Sequence, residues 1–435
     1  MKKVAFYTLG CKANQYDTQM MRAQFEKANY KIVDYSELAD IYIINTCTVT
    51  HQGARKSRKI TRRLKRKNPD AFIAVVGCYA QVDSEEVLEI EGVDLILGTK
   101  GRERIVDFVE QGLQAGEKIN FVQNLDNDDP FESVKLDKVR GKTRANIKIQ
   151  DGCEQFCAYC IIPYARGGLK SRSLASTITE VEKLVDQGVQ EIVLTGIHLG
   201  EYGRDQDELD LVKLLRALIA INGLERIRLS SIEGTEVSEE LIDLIAQSDK
   251  LCRHLHLPLQ SGSNQILEAM NRPYQIEDFK AMVEKIRSKI PEIAITTDVI
   301  VGFPGETEAD FIETCEVVKE LEFSSVHVFK YSQREGTPAA KFDEQVHSRV
   351  KKQRSKKLRE IAKKLAQQYQ EKFIATTQQV LLEERRDNST GLLTGLTDNY
   401  LRVLVDDANS LKGKLVNAEL AEKDGLLYGE LIEKN

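Results

Sequence analysis

Apolar residues along this chain come in two textures. Short continuous runs, "VAFYTLGC", "IYIINTC" and "AFIAVVGC", alternate over the first hundred residues with stretches such as "YDTQMMRAQFEKANY", whose apolar positions recur at helical spacing. Continuous runs predict strands buried on both faces, and their alternation with amphipathic helices predicts a doubly wound parallel sheet. A charged, Asp-rich segment over 124–138 reads as a linker. Alternation then resumes with the candidate strands "ANIKIQ", "EIVLTGI", "RIRLSSI", "HLHLPLQ", "AITTDVIVGF" and "SVHVFKYS", separated by helical patterns. Six such units predict a partial (β/α)6 barrel. A long basic helix follows, around 344–373, with Val350, Leu358, Ile361, Leu365, Tyr369 and Phe373 on one face. From about 374 short strands punctuated by Gly, Asn and Asp predict a small all-β barrel. The expected division is 1–114, a linker over 115–138, a core over 139–370, and a terminal domain over 371–435.

Composition adds few exclusions. The 435 residues are 41% hydrophobic and 30% charged, as in soluble globular proteins, and exceed what one core organises. No apolar run has membrane-spanning length. The opening "MKKVAFYTLGCK" reads as a first strand rather than a signal peptide, so a cytoplasmic location is expected. The net charge of −6 does not announce a nucleic-acid binder, but from Arg55 to Lys67 nine of thirteen residues are Lys or Arg. In a helical reading only Ile60 and Leu64 of that run are left for packing. Arg55, Lys56, Arg58, Lys59, Arg62, Arg63, Lys65 and Arg66 are therefore candidate RNA phosphate contacts.

The eight cysteines carry the chemistry. Cys153, Cys157 and Cys160 form a Cys-x3-Cys-x2-Cys cluster directly after the first barrel strand, on the face where such barrels build active sites. A structural zinc site wants four protein ligands, and no further Cys or His stands at zinc-finger spacing. Three thiolates can instead hold an iron–sulfur cube with one iron left open. Cys11, Cys47 and Cys78 are far apart in sequence, yet each ends a predicted parallel strand. Strand ends of a doubly wound sheet share one edge, so these thiols either converge into a second ligand set or are three buried structural cysteines. Cys252 and Cys315 read as ordinary buried thiols, and His254 and His256 as packed or hydrogen-bonded.

The central spacing resembles the signature of the radical S-adenosylmethionine (SAM) superfamily. The resemblance implies that the open iron binds SAM and that an electron from the cluster splits it to a 5′-deoxyadenosyl radical. Candidate SAM contacts are Tyr159, Thr195, Gly196, Ser231, Glu233, Gln260 and Gly302, most of them in turns at barrel strand ends. "TLGCKANQYDT", "NTCTV" and "VGCYAQ" are similar to motifs of the methylthiotransferase family, whose domain order also matches the whole chain and ends in an OB-like TRAM barrel that binds RNA. That resemblance implies a second [4Fe–4S] cluster on Cys11, Cys47 and Cys78 that delivers sulfur, beside the one on Cys153, Cys157 and Cys160. It also implies a second SAM as methyl donor, and a flavodoxin- or ferredoxin-type electron donor.

Within the family, "TLGCKANQYDT", "NTCTVTHQGARKSR" and "CIIPYARG" are most similar to the branch that modifies N6-threonylcarbamoyladenosine at position 37 of the tRNA anticodon loop. Two alternatives stand beside it: the isopentenyladenosine branch, and a non-catalytic iron–sulfur regulator that binds RNA. Basic residues of 349–364 and Tyr400 are further candidates for RNA contact, Tyr400 being equally suited to a core.

Overall fold

The strands Ile41–Thr46 and Phe72–Gly77 are buried along their whole length, as their continuous apolar runs require, whereas Lys3–Thr8 is only partly covered. In β4 (Phe72–Gly77) Phe72, Ala74 and Val76 join one core while Ile73 and Val75 join the other. The computed structural model describes residues 1–432 except 50, 127–128, 135–142 and 407–409, so part of the expected linker lies outside the described residues. The N-terminal unit runs β1 (Lys3–Thr8), α1 (Lys12–Lys27), β2 (Lys31–Val33), β3 (Ile41–Thr46), α2 (His51–Lys67), β4, α3 (Cys78–Val82), α4 (Ser84–Leu88), β5 (Leu95–Leu97), α5 (Ile105–Ala115) and β6 (Ile119–Asn120). Its six strands form one parallel sheet in the order β2-β1-β3-β4-β5-β6. The last of these falls inside the span expected as linker from 115: Ile119 pairs with Leu95 and closes the sheet edge.

The central unit continues with β7 (Arg144–Lys148), β8 (Gln150–Asp151), α6 (Ile162–Arg166), β9 (Lys170–Ser171), α7 (Leu174–Asp186), β10 (Glu191–Thr195), α8 (Leu211–Ile219) and β11 (Arg226–Leu229). It goes on through α9 (Glu239–Gln247), β12 (His254–His256), α10 (Asn264–Ala269), α11 (Ile276–Lys289), β13 (Ala294–Val301), α12 (Glu308–Glu320), β14 (Ser325–Lys330) and α13 (Ser348–Glu371). The six main strands are parallel but form two sheets of three, β7-β10-β11 and β12-β13-β14, joined by the single bridges Ile227–Leu251 and Ser231–His256. Leu-, Ile- and Val-rich outer helices cover them in one continuous core.

The terminal unit, β15 (Thr377–Arg386), β16 (Leu393–Thr397), β17 (Arg402–Val405), β18 (Leu415–Lys423) and β19 (Leu426–Leu431), is a closed five-stranded barrel in the order β15-β16-β17-β19-β18. Tyr369 and Phe373, at the end of the basic helix, pack into its core. Arg226 and Arg228 anchor it to β11, donating to the carbonyls of Leu396, Gln379, Asp398 and Thr397. No helix among the described residues is long and apolar enough to cross a membrane.

A buried ion cluster locks the first unit onto the second. Asp17 of α1 is fully buried and accepts from Lys148 at 2.6 Å, from Arg166 at 3.0 Å and from Arg102. Asp151 accepts from Arg166 at 2.7 Å and Lys148 at 2.8 Å, and Glu132 pairs with Arg102 at 2.8 Å. Burial alone would raise the Asp17 carboxyl. Arg102, Lys148 and Arg166 outweigh it and hold the group below its ordinary value, and Asp151 lies well below for the same reason.

Because both folded values are depressed, this stabilisation is complete above the unfolded carboxylate pKa of about 3.9 and is lost as pH falls further. Asp17→Asn leaves three buried cations facing one fewer carboxylate, and its expected cost is about 3–5 kcal/mol. Denaturant unfolding at neutral pH measures it. A variant within about 0.5 kcal/mol of wild type would contradict this role.

Candidate metal centres

The two cysteine trios are built differently. Cys11, Cys47 and Cys78 follow three adjacent strands, β1, β3 and β4, whose register aligns Thr8 with Asn45 and Thr46 with Gly77. Gly10 (φ +111°) lets the first strand end close: a Cβ there would stand 3.0 Å from that of Cys47. Cys11 is exposed, Cys47 half-buried and Cys78 buried, and all three are free thiols. Asn14, one turn into α1, sits among them. Its Oδ1 lies 3.7 Å from Cys11 Sγ and 4.0 Å from Cys78 Sγ, and its Nδ2 donates to the carbonyls of Leu9 and Thr46. Burial pushes Cys47 up to about 11 and raises Cys78, in each case with the neighbouring thiols adding to the rise.

Cys153, Cys157 and Cys160 lie on the loop that leaves β8. Gly152 (φ +77°) starts it where a side chain would collide with the Gly168 carbonyl. The turn is fixed by Cys153 N–H to Gly167 O (3.1 Å), Cys160 N–H to Cys157 O (2.9 Å) and Ala158 N–H to Met270 O (2.9 Å). Two charged groups from distant segments reach the sulfurs. Arg272 donates to Cys157 Sγ at 3.3 Å and is itself held by Glu233; His198 Nδ1 stands 3.5 Å from Cys153 Sγ, with Glu236 on its other nitrogen. Burial would lower the His198 imidazole, but the bonds to Cys153 and Glu236 outweigh it and push it up to about 10. Burial pushes Cys160 up to about 12 and raises Cys157, against which Arg272 acts.

Arg166 links the trios. It stands at the end of α6, just beyond Cys160, and donates to Asn14 Oδ1 at 2.6 Å, with its charge lowering the Cys78 thiol pKa against burial. Both sites fit an iron–sulfur group. Each offers three free thiols, no fourth Cys among the described residues, and an arginine whose Nε is buried without a partner, Arg166 at one and Arg272 at the other. Such donors are what stabilises anionic sulfur.

Of the proposed SAM contacts, Tyr159 and Glu233 form one charged neighbourhood with Cys157 and Arg272. Thr195 is buried at the end of β10, and Gly196 packs on Gln150. Ser231 is exposed beside its bridge to His256, and Gln260 is tied by backbone bonds to Asp298 and Ile300. Gly302 turns elsewhere: its N–H donates to Glu306 and it packs on Lys351. Cys252 and Cys315 are buried, and His254 and His256 both bond to Thr296. Sequence reasoning missed Arg272, His198 and Asn14. The first two reach the sulfurs only through tertiary packing, whereas Asn14 was legible as a polar residue one turn after Cys11.

The basic helix α2 packs more than Ile60 and Leu64, correcting the sequence expectation. Ala54, Ser57 and Thr61 are also buried, the two hydroxyls being satisfied by carbonyls one turn back. Arg58 is committed to Tyr79 and Glu86, and Lys65 to Asp94 and the Ala71 carbonyl. Arg55, Lys56, Lys59, Arg62, Arg63 and Arg66 stay exposed, so the free charge occupies one side.

Residues 3–98 match the Uncharacterized protein family UPF0004, and residues 147–318 match the Radical SAM superfamily. The chain is 42% identical to the threonylcarbamoyladenosine tRNA methylthiotransferase MtaB of Bacillus subtilis, over 99% of this chain and 96% of that protein. It is 40% identical to the enzyme of the same name from Aquifex aeolicus, over 95% and 99%. A tRNA-2-methylthio-N(6)-dimethylallyladenosine synthase of Alkaliphilus oremlandii is 37% identical, over 100% and 93%. Among solved structures, the radical SAM methyltransferase TsrM of Kitasatospora setae shares the fold at a TM-score of 0.57 and 17% identity, covering 78% of this chain and 74% of that one. With matched relatives along nearly its full length and the thiol trios at its strand ends, this chain belongs to the radical SAM methylthiotransferase family.

Proposed function

We propose that this protein adds a methylthio group to adenine C2 of N6-threonylcarbamoyladenosine at position 37 of tRNA. One observation carries the branch assignment. Near-full-length identity reaches 42% and 40% with relatives named for threonylcarbamoyladenosine, against 36–38% with relatives named for dimethylallyladenosine. Cys153, Cys157 and Cys160 would hold one [4Fe–4S] cluster, and Cys11, Cys47 and Cys78 a second. When bound, the clusters and SAM supply the radical, the sulfur and the methyl group.

The chain's own groups supply charge balance and shelter. Arg272, braced by Glu233, favours the anionic form of Cys157 and Arg166 that of Cys78, while His198, braced by Glu236, stands against Cys153. Tyr159 backs onto an apolar wall of Ile266, Met270, Phe303 and Tyr331, which keeps water from that side. Thr195, Gly196, Ser231, Gln260 and Gly302 remain candidates to touch SAM. Exposed cations of α2 would meet RNA phosphates, and the terminal barrel would act as a TRAM domain on the anticodon arm. The target base must be splayed from the loop to reach the cluster edge. Electrons would come from a flavodoxin- or ferredoxin-type donor in the cytoplasm.

Anaerobic reconstitution with SAM, reductant and tRNA, followed by mass spectrometry of the nucleosides, tests the substrate. Threonylcarbamoyladenosine is expected to gain the methylthio mass; gain on isopentenyladenosine alone would move the chain to the other branch, and no SAM cleavage would favour the RNA-binding regulator. Cys47→Ala is expected to abolish methylthiolation while 5′-deoxyadenosine formation persists, whereas Cys157→Ala abolishes both. Equal loss of SAM cleavage in the two variants would refute this division between the sites. Arg62→Glu with Arg66→Glu is expected to weaken tRNA binding and to reduce its salt slope by about one for each phosphate no longer neutralised. An unchanged slope would remove α2 from the RNA interface.

A further inference from the structure

One cavity near the first cysteine trio has no role in the mechanism above. It holds about 460 Å³ where α1 meets β7, β10 and the terminal barrel, and Lys12, Gln15, Arg144, Asn146, Val193 and Tyr400 help line it. That size falls within the roughly 300–1,000 Å³ of small-ligand pockets. Apart from Glu384 and Arg385, which line it but are exposed, its charged surroundings are almost all matched. Arg144 pairs with Glu383 at 2.6 Å, and Glu191 is taken by Arg228 at 3.0 Å with Arg226 at 3.9 Å. The Tyr400 ring stacks on His254 at 4.6 Å and lies under Arg228 at 4.8 Å, which fixes the cavity floor.

Lys12 is the exception. It is half-buried, directly follows Cys11, and has neither an ion pair nor a side-chain hydrogen bond among the described residues; the carboxylate that acts on it, Glu191, is the one already held by Arg228. A cation partly withdrawn from water without a counter-ion is unfavourable, so a wall that holds one there is complementary to an anion. Asn146 Nδ2 donates to Gln15 Oε1 at 3.2 Å, a bond that uses neither the Gln15 amide N–H groups nor the Asn146 side-chain carbonyl. One ammonium, one amide donor and one amide acceptor therefore face a common space beside a cluster cysteine.

We propose that this cavity receives the N6 substituent of the target adenosine, with Lys12 carrying its carboxylate and Gln15 and Asn146 bonding its carbamoyl group. The inference rests on the threonylcarbamoyladenosine reading and adds the residue that selects for it. A threonylcarbamoyl chain brings a carboxylate together with amide N–H and C=O groups, the complement of these three side chains. An isopentenyl chain brings none of them and leaves Lys12 unpaired, which is how a polar site rejects an apolar analogue.

Binding of anticodon stem–loops to cluster-loaded protein tests it. Three RNAs are compared: one with threonylcarbamoyladenosine, one with the same group amidated at its carboxylate, and one with unmodified adenosine. Wild type is expected to bind the carboxylate form about 10- to 100-fold more tightly than the amide, the range of a charge-assisted hydrogen bond. Lys12→Gln is expected to erase that preference without changing affinity for the unmodified loop, and Lys12→Arg to restore part of it. Iron content per chain checks that Cys11 still holds its share. Equal binding of carboxylate and amide by wild type would overturn the assignment whatever the variants do. Failure of the substrate reading is distinct: wild type would then add no methylthio mass to threonylcarbamoyladenosine.

Discussion

The architecture turns on burying six charges together. Asp17, Asp151 and Glu132 face Arg102, Lys148 and Arg166 across the junction of the N-terminal sheet and the barrel. Each of these groups alone would be costly to remove from water, and only docking of the two units brings them into balance. The same cluster ties the two cysteine trios together. Arg166 is fixed by Asp17 and Asp151 on one side and reaches Asn14, in the middle of the first trio, on the other. A short helix beyond one set of thiols is thereby made part of the other.

The thiols are held in surroundings that suit a metal better than a proton. Burial raises Cys78 and Cys157, and pushes Cys47 and Cys160 up to about 11 and about 12, so none of these four would be a thiolate at neutral pH unaided. Arg166 and Arg272 pull the other way at Cys78 and Cys157. Metal binding replaces the proton and couples to folding through its ligands, which is the regime that buried thiols with donor arginines create.

The peripheral elements each combine two tasks. Helix α2 buries Ala54, Ser57, Ile60, Thr61 and Leu64 against the sheet and leaves a cationic side toward solvent. Helix α13 packs Leu358 and Leu365 on the barrel and then delivers Tyr369 and Phe373 into the terminal domain. Arg226 and Arg228 pin that domain by its carbonyls, so Tyr400, although exposed on one side, stacks on His254 under Arg228.

The linear sequence determined which segments are strands and helices, because burial on one or two faces imposes periods that are visible locally. It also placed Cys153, Cys157 and Cys160 together, since they share one loop, and the parallel-sheet rule brought Cys11, Cys47 and Cys78 to one edge. Only the tertiary structure decided the rest. Arg272, His198 and Lys12 acquire their surroundings from neighbours distant in the chain, and a basic run divides into free and committed charges only once Glu86 and Asp94 are packed against it. Hydrophobic period is a property of adjacent residues; the environment of a charge is a property of everything folded around it.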